Sequence, residues 1–559
     1  MGPLRPPYVM SLAHRGFVEG ITLTDKTTDA PWCHYFGGLR YALPPSARWR
    51  KAQRLPPSYS YGTKDHPRQC SGTAGVCPQP SFPSISLEDG WTEDCFQCNV
   101  WVPVGEPPKD GWPVLVFIRK IPPWNDSLQR LITYSILDGG FLQFGTPNSF
   151  SAGALLGETG FNAIVVMPAY RLGVFGFLHS SELEHDAATV SEPVGNQGFW
   201  DQRLALEWTR DNISLFRGNA SQITISGYSA GAYSVFYQLS YDIHLPEDQS
   251  IIKQACIWSN SPVAQPKAPS SAQTQFNELL SALNIPHTLP WPAKLSQLRS
   301  IPSAKLLSAA TSIETNQFRP TTDSLFIHPT LFQSLDNGNV GRRIAARNIR
   351  IMLGECRDEG ALYATWFPPQ NSLPALHKRL LADYPAPLVD TLMNLYCAEG
   401  KLPGECRDWN RDAFGRIYAD MQVYKMQRGL VHSLVLGGAS HLLFRYRIEY
   451  RLKCADETIP PEWGVTHATD QYIWFWGNGS VVRGDERRII KEALIDPLTK
   501  FVHGEPDIQW GTKSYREMRK LRPDGSVEIW QDGLWDEAMR VWKALRALGE
   551  HDQGPAARL

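Results

Sequence analysis

The pentapeptide Gly227-Tyr228-Ser229-Ala230-Gly231 constrains this chain more than any other feature. It follows a β-branched run, Ile223-Thr224-Ile225-Ser226, and opens a helical stretch from Ala232 to Leu239. Strand, sharp turn and helix form the context in which a G-x-S-x-G turn lifts its serine hydroxyl above the top of a sheet. Small residues on either side let the backbone take the strained turn and let strand and helix approach closely. Three fixed positions in five arise readily by chance, so the motif draws its weight from its placement. Between a strand and a helix it points to a nucleophilic serine and a serine hydrolase.

The surrounding pattern suits such a turn. Short apolar runs at 97–104, 114–118, 163–167 and 223–226 predict strands, and others follow at 255–258, 349–353, 441–446 and 526–530. The segment 201–215 reads as a helix through Leu204, Leu206, Trp208 and Ile213. Strands alternating with helices predict an α/β fold: a large, mostly parallel sheet covered by helices on both faces. Two helical and polar stretches, 262–320 and 369–436, suit a cap over the sheet's C-terminal edge.

Several function classes are disfavoured. A formal charge of −1 gives no electrostatic case for nucleic acid or an anionic membrane. No run of eighteen or more apolar residues predicts a membrane span. Residues 1–12 lack the apolar core of a signal peptide, and the terminal Ala557-Arg558-Leu559 resembles a peroxisomal address, so the expected setting is the cytosol or the peroxisome. The ten cysteines form no metal signature, and no metal or cofactor is expected. No residue pattern specifies an oligomeric state.

A serine hydroxyl needs a base to remove its proton, and that base needs an acid to orient it. In α/β-hydrolases these follow the serine in the order acid, then histidine. Two downstream segments fit. One is Ile351-Met352-Leu353-Gly354-Glu355-Cys356-Arg357-Asp358-Glu359-Gly360, a buried strand running into an acidic turn; the other is the loop Gly464-Val465-Thr466-His467-Ala468-Thr469-Asp470. Spacing leaves Glu355, Asp358 and Glu359 open as the acid, and His328, His441 and His467 as the base. One oxyanion donor is expected from Ala230, directly after the nucleophile.

Further segments carry a family resemblance. Arg40-Tyr41-Ala42-Leu43-Pro44-Pro45, Glu93-Asp94-Cys95-Phe96-Gln97-Cys98-Asn99-Val100-Trp101, Ala169-Tyr170-Arg171-Leu172-Gly173-Val174-Phe175-Gly176 and Gly198-Phe199-Trp200-Asp201-Gln202 all stand in order before the elbow. With the elbow, they resemble the type-B carboxylesterase/cholinesterase/lipase family, its fungal intracellular members above all. The resemblance covers nearly the whole chain and implies one α/β-hydrolase domain over 1–559. It implies Glu359 as the acid, His467 as the base, and the Gly139-Gly140 loop as the source of further oxyanion donors. It also implies a Cys77–Cys95 disulfide. The implied activity is hydrolysis of small to medium, soluble, uncharged esters. The alternatives are a lactone, thioester or amide hydrolase, or a non-catalytic cholinesterase-like interaction protein.

Two departures from the family bear on function. Cholinesterases carry a glutamate before the nucleophile where this chain has Tyr228, which disfavours choline esters. More seriously, residues 119–138 stand where the family has a single histidine between the strand Val114–Ile118 and Gly139. Arg119-Lys120 can be encoded CGT-AAG, containing a GTAAG donor, and Leu137-Asp138 can be CTA-GAC, containing an acceptor AG. Excision between them joins C to AC, a histidine codon. The segment therefore reads as translated intron; the rival is a genuine surface insertion, which costs little closure entropy.

Overall fold

The computed structural model describes residues 5–25, 27–80, 91–118, 142–262, 266–365 and 367–551. The 119–138 segment, Gly139, Gly140 and Ala557-Arg558-Leu559 lie outside the described residues.

Twelve strands run through the main sheet: β1 (Pro7–Ser11), β2 (Phe17–Thr24), β3 (Pro31–Arg40), β4 (Gln97–Pro103), β5 (Trp112–Ile118), β6 (Ile164–Pro168), β7 (Gly218–Tyr228), β8 (Ile252–Trp258), β9 (Arg350–Cys356), β10 (Leu443–Ile448), β11 (Glu517–Leu521) and β12 (Val527–Gln531). Their spatial order is β1-β2-β3-β4-β6-β5-β7-β8-β9-β10-β11-β12, and a two-residue strand at Arg68–Gln69 joins β2 off this path. From β6 through β11 every neighbouring pair is parallel. The β1–β4 end and the β11–β12 edge are antiparallel. The sheet is thus a parallel core with antiparallel flanks.

Parallel strands need crossover connections, and these place helices on both faces. The core strands are accordingly largely buried, and all seven residues of β5 are both buried and apolar. Their side chains alternate between two cores. Val114, Val116, Ile223, Ile225 and Ile257 pack on one face, while Leu115, Phe117, Cys256, Trp258 and Met352 pack on the other.

Two helices matter for the elbow. Helix α1 (Gln197–Asn212) feeds β7, and α2 (Ala230–Asp242) leaves it. They are stitched together by Gln202 Nε2 donating to Ser234 Oγ (3.1 Å) and Gln238 Nε2 donating to the Phe199 carbonyl (2.8 Å). The 262–320 stretch contains helices Pro269–Ala282, Trp291–Ser300 and Ser303–Ser312. Helices Leu373–Leu381, Ala386–Tyr396 and Lys425–Leu436 belong to the second helical stretch.

At Gly227 the turn leaves no room for a side chain. A Cβ there would lie 2.3 Å from both the carbonyl carbon and the oxygen of Gly231. Backbone cannot rotate out of the way as a side chain can, so β7 and α2 would have to separate. Gly227→Ala is expected to lower stability by about 2–4 kcal/mol in urea unfolding. An unchanged unfolding midpoint would contradict this packing.

Candidate active site

Ser229 stands at the junction of β7 and α2 with φ 54° and ψ −122°, a conformation that L-residues adopt only under strain. Its neighbours Tyr228 and Ala230 are buried, whereas Ser229 itself is partly exposed. The turn therefore presents one hydroxyl and hides everything around it. Ala230 begins α2, so its N–H belongs to the first turn, whose amides have no carbonyl partner within the helix.

The structure brings Glu359 and His467 to this serine. His467 Nε2 lies 2.9 Å from Ser229 Oγ, and His467 Nδ1 lies 2.6 Å from Glu359 Oε2. A carboxylate only accepts hydrogen bonds, so Glu359 fixes the ring proton on Nδ1 and leaves Nε2 as an acceptor facing the hydroxyl. Glu359 opens the short helix α3 (Glu359–Tyr363) at the C-terminal end of β9. Its Oε1 accepts the Cys356 N–H at 2.9 Å, and its own N–H donates to Tyr424 Oη at 2.9 Å.

Acid turn and histidine loop are zipped together. Asp358 N–H donates to the Val465 carbonyl (2.9 Å), Val465 N–H donates to Asp358 Oδ2 (2.8 Å), and Leu362 N–H donates to Thr466 Oγ1 (3.0 Å). These bonds occupy Asp358. Glu355 is occupied too, fully buried between Arg428 and Arg447. His328 and His441 are exposed, and His328 Nδ1 is 2.8 Å from Thr330 Oγ1. Of the acids and histidines that spacing left open, only Glu359 and His467 reach Ser229.

The imidazole contacts two tyrosine rings, each tilted 41° to it: Tyr228 at 4.9 Å and Tyr363 at 4.8 Å between centroids. Tyr228 Oη also accepts the N–H of Ala468, fixing the backbone directly after the histidine. Burial raises the Tyr228 phenol well above its usual range, with the charges of Asp470 and Glu359 adding to the effect, so it stays neutral.

A second acid, Asp470, is completely buried behind His467. Its Oδ2 accepts from Trp474 Nε1 at 3.3 Å and lies 3.5 Å from Ser259 Oγ. Burial first, and the Glu359 charge second, push its carboxyl up from 3.8 to about 7; His467 and the Trp474 bond act in the opposite direction. The folded protein therefore keeps a proton on Asp470 that the unfolded chain releases between about pH 4 and 7, so this contribution to stability is present at low pH and lost as pH rises. Asp470→Asn is expected to lose about 2–4 kcal/mol less stability than the parent between pH 4.5 and 7.5. Parallel stability curves would contradict it.

From Leu142 onward the chain is tied by hydrogen bonds to distant segments. Gly145 N–H donates to Gln79 Oε1 (2.7 Å), Gln143 Nε2 donates to the Phe318 carbonyl (2.8 Å), and Gly173 N–H donates to the Leu142 carbonyl (2.7 Å). Cys77, two residues before Gln79, is bonded to Cys95 with the Cα atoms 5.2 Å apart.

Comparison with known proteins gives the family: the profile of the carboxylesterase family matches residues 8–531. The chain belongs to the carboxylesterase family. A carboxylic ester hydrolase of Gibberella moniliformis is 40% identical over 99% of this chain and 98% of its own length. An uncharacterized esterase/lipase of Schizosaccharomyces pombe is 34% identical over 96% of this chain and 97% of its own. The crystal structure of Aspergillus niger EstA superposes with a TM-score of 0.71 over 97% of this chain and 98% of that one, at 19% identity, and so shares the α/β-hydrolase fold. This carboxylesterase is a carboxylesterase-type hydrolase acting on esters. Among the described residues, no helix is long and apolar enough to cross a membrane.

Sequence reasoning identified Ser229, Glu359, His467 and Ala230. It assigned no role to Asp470, although Asp470 stands in the quoted histidine loop, and it read Tyr228 only as a missing charge. Tyr363 and Tyr424 carry no local signal; one lies on the helix begun by Glu359, the other on a distant helix.

Proposed function

We propose that this carboxylesterase hydrolyses small to medium, soluble, uncharged esters through Ser229, His467 and Glu359. The hydrogen-bonded chain from Ser229 Oγ through both nitrogens of His467 to Glu359 carries this reading. His467 Nε2 takes the Ser229 proton as Oγ attacks the ester carbonyl. Glu359 stabilises the resulting imidazolium, which then protonates the leaving alcohol. Water attacks the acyl-enzyme by the same route, returning the proton to Ser229 and releasing the acid. The Ala230 N–H, with those of Gly139 and Gly140, supplies donors for the oxyanion.

Substrate character follows from two features. Tyr228 is neutral, so the residue before the nucleophile offers a quaternary ammonium no counter-charge. The short Cys77–Cys95 loop is a poor lid for a lipid interface. Residues 119–138 are in this reading translated intron, and sequencing the transcript across that junction decides it; an uninterrupted frame in mature mRNA overturns it.

Activity assays test the substrate class. p-Nitrophenyl acetate and butyrate are expected to be turned over with kcat/KM at least about tenfold above butyrylthiocholine, a difference of about 1.4 kcal/mol in transition-state binding. Emulsified long-chain triacylglycerol is expected to be a poor substrate. Preferential hydrolysis of the choline ester or the emulsion would overturn the substrate reading while leaving the chemistry intact.

A further inference from the structure

A cleft of about 430 Å³ lies between the C-terminal half of α1 and the 54–57 segment. Helix α1 ends at Asn212 and feeds the start of β7, whereas Ser229 follows its end. β7 pairs with β5 from Gly218 opposite Trp112 to Gly227 opposite Ile118, and the seven residues of β5 at about 3.3 Å each put the start of β7 about 20 Å from the elbow, so the Arg15–Asn212 end of the cleft lies toward the opposite edge of the sheet.

The cleft holds a cation without a counter-ion. Arg15 is only 9% exposed. Its Nε donates to Asn212 Oδ1 (3.1 Å), and its Nη1 donates to the carbonyls of Pro56 (2.6 Å) and Tyr59 (3.2 Å). Nη2 has no acceptor, and no carboxylate pairs with the guanidinium, among the described residues. The two carboxylates that line the cleft are committed elsewhere: Glu207 to Arg54 and Arg203, and Asp211 to Arg210. Burying an unpaired charge is costly, and an incoming anion would offset that cost.

The remaining wall is apolar. Trp208 turns its indole N–H away to Tyr61 Oη at 3.0 Å, leaving ring surface beside Leu55, Leu204, Pro56 and Pro57. One free guanidinium nitrogen suits a single carboxylate oxygen and gives too few donors for a phosphate. Glu207 and Asp211 at the wall disfavour a second negative charge. We infer that this cleft binds a small monocarboxylate with an apolar or aryl body, its carboxylate on Arg15 Nη2 and its body against Trp208.

The test is fluorine NMR titration of 4-fluorophenylacetate and its neutral amide into the full chain carrying Ser229→Ala. The acid is expected to bind saturably and at least tenfold more tightly than the amide. Arg15→Gln, and Pro57→Trp at an exposed wall position, are each expected to weaken the acid at least tenfold. Because Arg15 also anchors the 56–59 backbone, Pro57→Trp and the acid-to-amide ratio carry the decision if Arg15→Gln fails to fold. Absence of saturable binding, equal binding of acid and amide, or undiminished binding to Pro57→Trp would each overturn the assignment.

Discussion

Replacing Ser229 by alanine is expected to lower kcat for p-nitrophenyl butyrate at least about 10⁴-fold, equivalent to about 5.4 kcal/mol of transition-state stabilisation. The hydroxyl is the only protein group in the proposed scheme that forms a bond to carbon, so neither His467 nor Glu359 can substitute for it. The same change removes one hydrogen bond, to His467 Nε2, and leaves the strained elbow otherwise intact. Stability is therefore expected to stay within about 1 kcal/mol of the parent. Loss of rate with retained folding separates a nucleophile from a packing residue. A variant that keeps a tenth of the parental rate would remove Ser229 from the reaction.

Excising residues 119–138 and placing one histidine at the junction is expected to raise kcat at least about 100-fold over the 559-residue chain. Strand β5 ends at Ile118 beside β7, in register with the elbow: Ile118 pairs with Gly227. The chain resumes its anchored course at Leu142, tied to Gly173, Gln79 and Phe318. In the proposed scheme the further oxyanion donors, Gly139 and Gly140, fall in sequence between these two points. Losing one well-placed oxyanion donor costs about 10²–10³ in kcat, and a long interruption endangers two. Equal rates for the two chains would establish the segment as a tolerated insertion.

The parallel core was legible because it is buried on both faces. Val114–Ile118 is apolar throughout and Ile223–Ser226 alternates isoleucine with small hydroxyl residues, and the structure extends them to Trp112–Ile118 and Gly218–Tyr228. In the antiparallel flanks β4 and β12 were legible at 97–104 and 526–530, whereas β1 to β3 and β11 were not. Strands β1 to β3 mix buried and exposed positions, with glycines and a histidine interrupting any period, as in Pro31–Arg40. Helix α1 begins at Gln197, ahead of the expected 201, because its first turn is also buried, with Phe199 and Trp200 in the core beside polar contacts such as Gln202 to Ser234.

The site was legible to the extent that its chemistry is local. Ser229 announces itself through a motif, and Ala230 follows from it. Glu359 and His467 needed family resemblance, because Glu355 and Asp358 are equivalent on spacing alone. What separates them is tertiary: Arg428 and Arg447 occupy Glu355, and Val465 occupies Asp358. The contacts of His467 with Tyr228 and Tyr363 join three segments distant in sequence, so no window could reveal them.

The central claim, that Ser229 is the acylated nucleophile of a Ser-His-Glu relay, is tested most directly by covalent trapping. The chain lacking residues 119–138 would be treated with ethyl p-nitrophenyl phosphonate and analysed by intact mass and peptide mapping. The account predicts one adduct per chain, released with one equivalent of p-nitrophenol, on the peptide containing Ser229, and none in His467→Ala on the same timescale. An adduct on another residue, or no adduct in a chain that still hydrolyses p-nitrophenyl butyrate, would contradict it.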